Sequence, residues 1–367
     1  MKVPFVDLRA QYHAIQDEID AAIRQVINDT AFVGGKYLST FEKNFSAFVG
    51  GKFCVGVGNG TDALFVALKA LGIGPEDEVI TAANTFIATA EAITMTGAKV
   101  VFVDCDPQTY NLDTHKIEAA ITPRTKAIIP VHLYGQPVDM DVIGDLARKY
   151  HLQVVEDAAQ AHAASYRGQS IGSISGVTCF SFFPGKNLGA YGDAGAIVVN
   201  DEELATRVRI VANHGRVKKY DHEFEGINSR LDGLQAAILD AKLGHLEEWT
   251  ERRRAIAAKY DAHLGQAVVT PFAAPDVRHV YHLYVIRVKN RDRVRSQLDE
   301  KGIATGIHYP IALPFLQAYR YLNHKPEDFP VAHAFQDEIL SLPIHGSMPE
   351  EQVDYVIEQL LQAVPAA

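Results

Sequence analysis

The sequence predicts an α/β protein in which a large domain on a mixed, mostly parallel seven-stranded sheet precedes a smaller α+β domain. Three observations carry this. Seven short β-branched runs fall between residues 53 and 199, each bounded by Gly, Pro, Asn or Asp. Helical patterns separate the first five, as in chains that build parallel sheets covered by helices. After a long helical stretch the alternation gives way to a different, shorter pattern.

The predicted strands are Phe53 to Val57, Glu78 to Ala82, Lys99 to Val103, Thr125 to Pro130, Leu152 to Glu156, Val177 to Phe182 and Ala196 to Val199. Ala63 to Leu71, Thr85 to Met95, Thr114 to Ile121 and Asp139 to Tyr150 have helical spacing. Only the Gly-rich stretch Pro184 to Gly195 joins the last two strands. It is too short for a helical crossover, so they are expected to pair antiparallel. Leu231 to Tyr260 reads as one long helix bent at Gly244, and the domain boundary is placed within it, giving 1–245 with an N-terminal arm and 246–367. Beyond it, Tyr281 to Val288 and Ile303 to His308 read as strands. Arg291 to Lys301, Ala332 to Leu340 and Glu350 to Leu361 read as helices. Asn213 to Arg230 has neither period and reads as a long loop of the kind that carries function.

Composition narrows the function. The chain has 367 residues, 47% hydrophobic and 22% charged, enough to bury a sizeable core. A net charge of -10 opposes binding to nucleic acid or anionic membranes, which requires Lys and Arg to neutralise phosphate. No stretch approaches the roughly 18 apolar residues of a membrane span, and residues 1–20 lack a leader pattern, so a cytoplasmic protein is expected. The three cysteines, Cys54, Cys105 and Cys179, form no Cys-x-x-Cys pair and read as reduced core residues; no metal site is expected.

Chemistry concentrates in Cys179-Phe-Ser-Phe-Phe-Pro-Gly-Lys-Asn-Leu-Gly-Ala-Tyr-Gly-Asp-Ala-Gly-Ala196, where an apolar strand ends in a Gly/Pro turn holding Lys186. Burial there lowers a lysine's pKa, which suits Schiff-base formation and proton transfer. The same run also reads as a plain hairpin with a solvent-facing lysine. It is not a phosphate-binding Walker loop, because Phe180 and Asn187 stand where Gly and Ser or Thr are required. Asp157 follows a strand at its carboxyl end, where open α/β sheets bind ligands, and a carboxylate there can face a protonated ring nitrogen; it can equally cap the next helix. Gln160 lies three residues on. His162, in an Ala-rich stretch, reads as a ligand contact or a structural residue. Gly56-Val-Gly-Asn-Gly-Thr-Asp-Ala-Leu64 presents Gly60 and Thr61 at a helix start, where free N–H groups hold phosphate, and Ser181 can add a hydroxyl. A dinucleotide-binding turn is the rival, but Thr61 occupies the place of its third glycine. Phe86 can stack on a ring or join the core.

Together, Asn59-Gly-Thr-Asp62, Glu156-Asp-Ala-Ala-Gln160, Ser181-Phe-Phe-Pro-Gly-Lys186 and Gly226-Ile-Asn-Ser-Arg-Leu-Asp232 resemble the sugar-nucleotide aminotransferases of the DegT/DnrJ/StrS type. The match extends from Val3-Pro-Phe-Val-Asp-Leu8 to Gly306-Ile-His-Tyr-Pro310. The resemblance implies the aspartate-aminotransferase fold (PLP fold type I), a homodimer with shared active sites, and pyridoxal 5'-phosphate (PLP/PMP) as cofactor. It implies that Lys186 carries the cofactor, Asp157 faces the ring nitrogen and Gln160 contacts the ring hydroxyl. Gly60, Thr61 and Ser181 would hold the phosphate, Asn228 would reach the phosphate of the other subunit, and Arg230, His308 and Tyr309 would line the substrate end. Relatives with histidine in place of the lysine are dehydratases, so Lys186 implies transamination.

The Gly192-Asp-Ala and His132-Leu-Tyr-Gly-Gln-Pro137 segments resemble members that aminate C3. The implied reaction takes a dTDP-3-keto-6-deoxyhexose to its 3-amino sugar with L-glutamate as donor, for surface-polysaccharide or glycoside biosynthesis; a UDP-linked 3-keto sugar is the alternative. A nicotinamide-dependent dehydrogenase built on the Gly56 turn leaves Lys186, Asp157 and Asn228 without a role. A DNA-binding regulator lacks a basic helix-turn-helix pattern.

Overall fold

The computed structural model describes residues 1–364. Its centre is a seven-stranded sheet of β1 (Phe53–Val57), β2 (Glu78–Ala82), β3 (Lys99–Val103), β4 (Thr125–Ile129), β5 (Gln153–Asp157), β6 (Val177–Ser181) and β7 (Gly195–Val199), in the order β1-β7-β6-β5-β4-β2-β3. β7 pairs antiparallel with both β1 and β6, and every other pairing is parallel. The sheet is therefore mixed and mostly parallel, as the sequence predicts, and six of its strands deliver their carboxyl ends to one edge.

Helices cover the sheet on both faces. α1 (Leu8–Ala14), α2 (Gln16–Asn28) and α3 (Gly35–Phe48) precede it, and α4 (Gly60–Ala70), α5 (Ile87–Met95), α6 (Thr114–Ala120), α7 (Met140–Tyr150) and α8 (Glu202–Ala212) are threaded along it. α7 shows why such segments are helical. Asp139 caps it by accepting from the Asp141 and Val142 amides, Met140, Ile143 and Leu146 form its buried stripe, and Arg148 and Lys149 sit in the last turn against the negative dipole end. The predicted long helix is two, α9 (Gly233–Leu243) and α10 (Leu246–Leu264), with the break at Gly244 and His245. All three cysteines are buried and unpaired, and burial raises their thiol pKa values well above the ordinary range.

The C-terminal part holds α11 (Arg291–Glu300), α12 (Pro330–Phe335), α13 (Glu350–Ala363) and an antiparallel pair, β8 (Tyr284–Arg287) with β9 (Ile339–Leu342). Two expectations are corrected here. Ile303 to His308 is not a strand, because only Ile303 and Gly306 bridge, to Val3 and Ser341 respectively. The predicted helix Ala332 to Leu340 ends at Phe335, and Ile339–Leu342 is a strand; a four-residue apolar run has no period by which to tell the two apart. The stretch 213–230, read as a loop, contains a short exposed hairpin in which Arg216–Lys218 pairs with Asp221–His222. Val3 is fully buried in the C-terminal core with Tyr260, Tyr284, Ile303 and Leu342. No described helix is long and apolar enough to cross a membrane.

One buried pair braces the edge where the strands end. His132 Nδ1 accepts from the Val138 amide, so its proton is on Nε2, which donates to Glu156 Oε2 at 2.8 Å. Burial alone would raise the Glu156 pKa, but hydrogen bonds from His132 and Ser175 outweigh it and hold the carboxyl below its usual value. His132→Ala is expected to cost about 2–4 kcal/mol in urea denaturation at pH 7 by stranding this carboxylate. Because the folded-state pKa is depressed, the contribution is present above the unfolded carboxyl pKa and lost as pH falls through the folded value. The gap between wild type and variant should therefore close below about pH 4.

Candidate active site

The parallel order gathers the predicted site residues at one edge. Gly60 and Thr61 open α4 after β1, Phe86 caps α5 after β2, Asp157 ends β5, Ser181 ends β6, and Lys186 follows in the turn toward β7. The turn is tight. The Lys186 amide donates to Phe183 O, the Ala190 amide donates to Phe182 O, and a Cβ on Gly189 would lie 2.2 Å from Pro184 O.

Lys186 is partly buried in the turn of an antiparallel hairpin, and burial lowers its pKa to about 8, with Asp157 opposing the shift. It is neither fully buried nor solvent-facing. Asp157 is 5% exposed; its Oδ1 accepts from the Ala159 amide at 3.1 Å and its Oδ2 from Thr89 Oγ1 at 2.8 Å. Among the described residues no cationic side chain pairs with it. Its position is thus a strand end facing the cleft, with a local turn contact to Ala159. Thr89 was not singled out by the sequence reading. Its signal is a spacing of four from Thr85, which precedes the α5 N-cap and whose hydroxyl lies 3.1 Å away.

At the α4 end, Asn59 Oδ1 accepts from the Asp62 amide, leaving the Gly60 and Thr61 amides at the first positions of the helix. A Cβ on Gly60 would stand 2.6 Å from the Ser181 Cβ, and one on Gly195 would stand 2.3 Å from Asn59 O, so the helix start is pressed against the ends of β6 and β7. Only glycine permits that approach.

Phe86 is 51% exposed, and its ring lies 5.4 Å from that of Tyr309. Gln160 Oε1 accepts from the Tyr134 amide at 2.6 Å, and Nε2 donates to Tyr309 Oη at 3.2 Å. His308 Nδ1 lies 2.8 Å from Ser341 Oγ, its ring stacks on Phe5 at 5.7 Å, and burial, then Lys186, lowers its pKa to about 4. His162 is fully buried between Phe180 and Phe182, and burial lowers it to about 3. It is a neutral residue of the wall. Asn187, beside the lysine, donates to Val280 O and accepts from His282, tying the turn to the chain that leads into β8.

Asn228 and Arg230 are placed differently. They flank buried Ser229, which accepts from the Gly58 amide and donates to Asp62, and both side chains are exposed without a side-chain hydrogen bond among the described residues. Within one chain they stand beside the helix start rather than over Lys186.

Comparison with known proteins gives consistent findings. The profile of the DegT/DnrJ/EryC1/StrS aminotransferase family matches residues 13–361. A dTDP-3-amino-3,4,6-trideoxy-alpha-D-glucose transaminase of Streptomyces venezuelae is 46% identical over 97% of this chain and 95% of its own. A UDP-2-acetamido-2-deoxy-3-oxo-D-glucuronate aminotransferase of Pseudomonas aeruginosa is 47% identical over 98% and 99%. Among solved structures, S. venezuelae DesV in complex with a ketimine intermediate superposes with a TM-score of 0.98 at 45% identity, covering 100% of both chains. NtdA of Bacillus subtilis with bound PMP superposes with a TM-score of 0.91 at 34% identity, covering 99% and 85%.

In cofactor-free protein, the amine of Lys186 should be labelled by an acylating reagent with a midpoint near pH 8, whereas surface lysines titrate near pH 10.4. Asp157→Asn should move that midpoint further down, since Asp157 raises it; peptide mass mapping across a pH series reads both.

Proposed function

Because the chain belongs to the DegT/DnrJ/EryC1/StrS aminotransferase family, we propose that it is a pyridoxal-phosphate-dependent transaminase acting on a nucleotide-linked keto-sugar at Lys186. The observation that carries this reading is a desolvated lysine beside a buried carboxylate that has no cationic partner. The residues present fit the cofactor on that ground: among the described residues Asp157 has no cation in direct contact, and a protonated ring nitrogen would be one. The start of α4, closed against Ser181, offers amides to a phosphate.

When bound, pyridoxal phosphate supplies the electron-withdrawing ring that acidifies the carbon carrying the transferred amine. Lys186 Nζ, with its pKa near 8, is partly free base near neutral pH and can take up and return a proton. Asp157, oriented by Thr89 and the Ala159 amide, keeps its negative charge in place for the ring nitrogen. Gln160 keeps one amide N–H for the ring hydroxyl, Phe86 covers one side of the pocket, and His308 and Tyr309 face the sugar.

The substrate we propose is a dTDP-3-keto-6-deoxyhexose, with L-glutamate as donor. Support for C3 comes from the two relatives above, named for a 3-amino and a 3-oxo sugar; the second keeps a UDP-linked 3-keto sugar as the alternative. We further propose a homodimer in which Asn228 serves the phosphate of the other subunit and Arg230 its substrate, in keeping with their exposure. The division into 1–245 and 246–367 belongs to the same proposal. Gly244 separates α9 from α10, and most of the C-terminal core lies beyond it, with Val3 as the N-terminal arm's contribution.

The purified protein loaded with pyridoxal phosphate should show a visible absorption band that L-glutamate abolishes, and Lys186→Ala should lack sugar-aminating turnover while keeping its far-UV circular dichroism. A band indifferent to glutamate would remove the donor; full turnover by the variant would remove the role of Lys186. Asn228→Ala should lose cofactor faster on dialysis than wild type, and sedimentation should give a dimer.

A further inference from the structure

Three separate segments meet in a closed circuit between the two ends of the pocket. The Tyr134 amide donates to Gln160 Oε1 at 2.6 Å, Gln160 Nε2 donates to Tyr309 Oη at 3.2 Å, and Tyr134 Oη donates back to the carbonyl of His308, the residue before Tyr309. One side-chain amide and two phenols thus join residues 132–137, 157–162 and 306–310. Gln160 has an acceptor oxygen and two N–H groups, so the circuit leaves one N–H for the cofactor side.

The hub is tightly held. Tyr134 is 4% exposed and packs edge-on against Tyr110, at 5.6 Å between rings. Its φ of 59° lies in the left-handed region, which a non-glycine residue occupies only where its surroundings enforce it. The surroundings are visible at Gly135, where a Cβ would stand 2.8 Å from Val280 Cγ2 and 3.1 Å from Gln160 O. The sugar end, by contrast, is poorly held by its own backbone. Residues 303–308 form no strand, only bridges at Ile303 and Gly306. The bonds from Tyr134 and Gln160, added to the Ser341 contact and Phe5 stack of His308 and the Phe86 contact of Tyr309, therefore help fix where His308 and Tyr309 stand relative to the lysine.

We propose, resting on the transaminase reading above, that Tyr134 is a specificity-determining positioning residue. It touches neither reacting group but sets the depth at which His308 and Tyr309 present the keto carbon of the sugar. A keto carbon shifted by about an ångström loses rate steeply. The donor is small and does not need the sugar end, so its half-reaction is independent of the bond from Tyr134 Oη to the His308 carbonyl.

The test is Tyr134→Phe, which removes one oxygen and keeps the ring. Loss of a single hydrogen bond predicts a fall of about tenfold in kcat/KM for amination of dTDP-3-keto-6-deoxyhexose by PMP-loaded enzyme, with the L-glutamate half-reaction within about twofold of wild type. Preference for a 3-keto over a 4-keto sugar should narrow. In cofactor-free protein, amide hydrogen exchange across residues 307–311 should quicken while β8 stays protected. Tyr309→Phe opens the same circuit, so the double variant should lose less than the product of the two single losses. Equal losses in both half-reactions, independent effects in the double variant, or unchanged exchange at 307–311 would each overturn the proposal. Inactivity of wild-type protein toward every keto-sugar would count against the transaminase reading instead, and the exchange measurement would still decide the coupling.

Discussion

A buried carboxylate that, among the described residues, makes no salt bridge is the constraint around which the rest of this molecule is arranged. Asp157 keeps only a hydroxyl and one amide as partners, at the end of a strand where the sheet can give it no more. Taking a charge out of water unpaired is costly, and proteins that tolerate it generally complete the site with something they bind. The neighbouring amine is in the complementary state, its charge penalised by the same burial and supported chiefly by Asp157. The two groups define a cleft whose electrostatics are finished by a ligand carrying a positive ring and a reactive carbonyl.

Supporting structure is spent on holding that cleft open and rigid. Lys186 is fixed by reversal of the chain between β6 and β7, with amide bonds at both ends of the turn and Asn187 pinning it to the segment before β8. On the opposite wall, Glu156 points away from the cleft into a network with His132, Ser175 and Thr178, one residue before Asp157 points into it. Alternation along a strand puts the structural carboxylate and the functional one on opposite faces of the sheet. His132 thus serves Glu156, while the residue of that segment bonded to the 306–310 segment is Tyr134.

Much of this was legible in the chain because it is local. Seven strands follow from β-branched runs between turn formers, and once most are parallel, the clustering of Gly60, Phe86, Asp157, Ser181 and Lys186 follows from topology. The residues that orient the cluster are harder to read. Thr89 acts on a partner 68 positions away, and Tyr134 on partners 26 and 174 positions away, so their own neighbourhoods, the Thr85 spacing and the His132–Pro137 segment included, do not reveal what they hold. Ile339–Leu342 has too few residues to show a period, and Ile303 to His308 has the composition of a strand but bridges at only two positions. Asn228 and Arg230 are a different case: among the described residues of a single chain their side chains have no hydrogen-bond partner, so their reading rests on resemblance and on exposure.

The burial of Val3 bears on how the molecule is made. Val3 bridges Ile303 across 300 positions and completes a core whose other members come from residues 256–363. A segment synthesised early thus has no docking place until almost the whole chain has emerged. During translation the sheet of residues 53–199 can assemble while the arm before it waits, solvated, for its counterpart. Such remote pairings slow folding and lengthen the time during which apolar surface is open to neighbours. Yield in the cell therefore hinges on a contact far from any catalytic group.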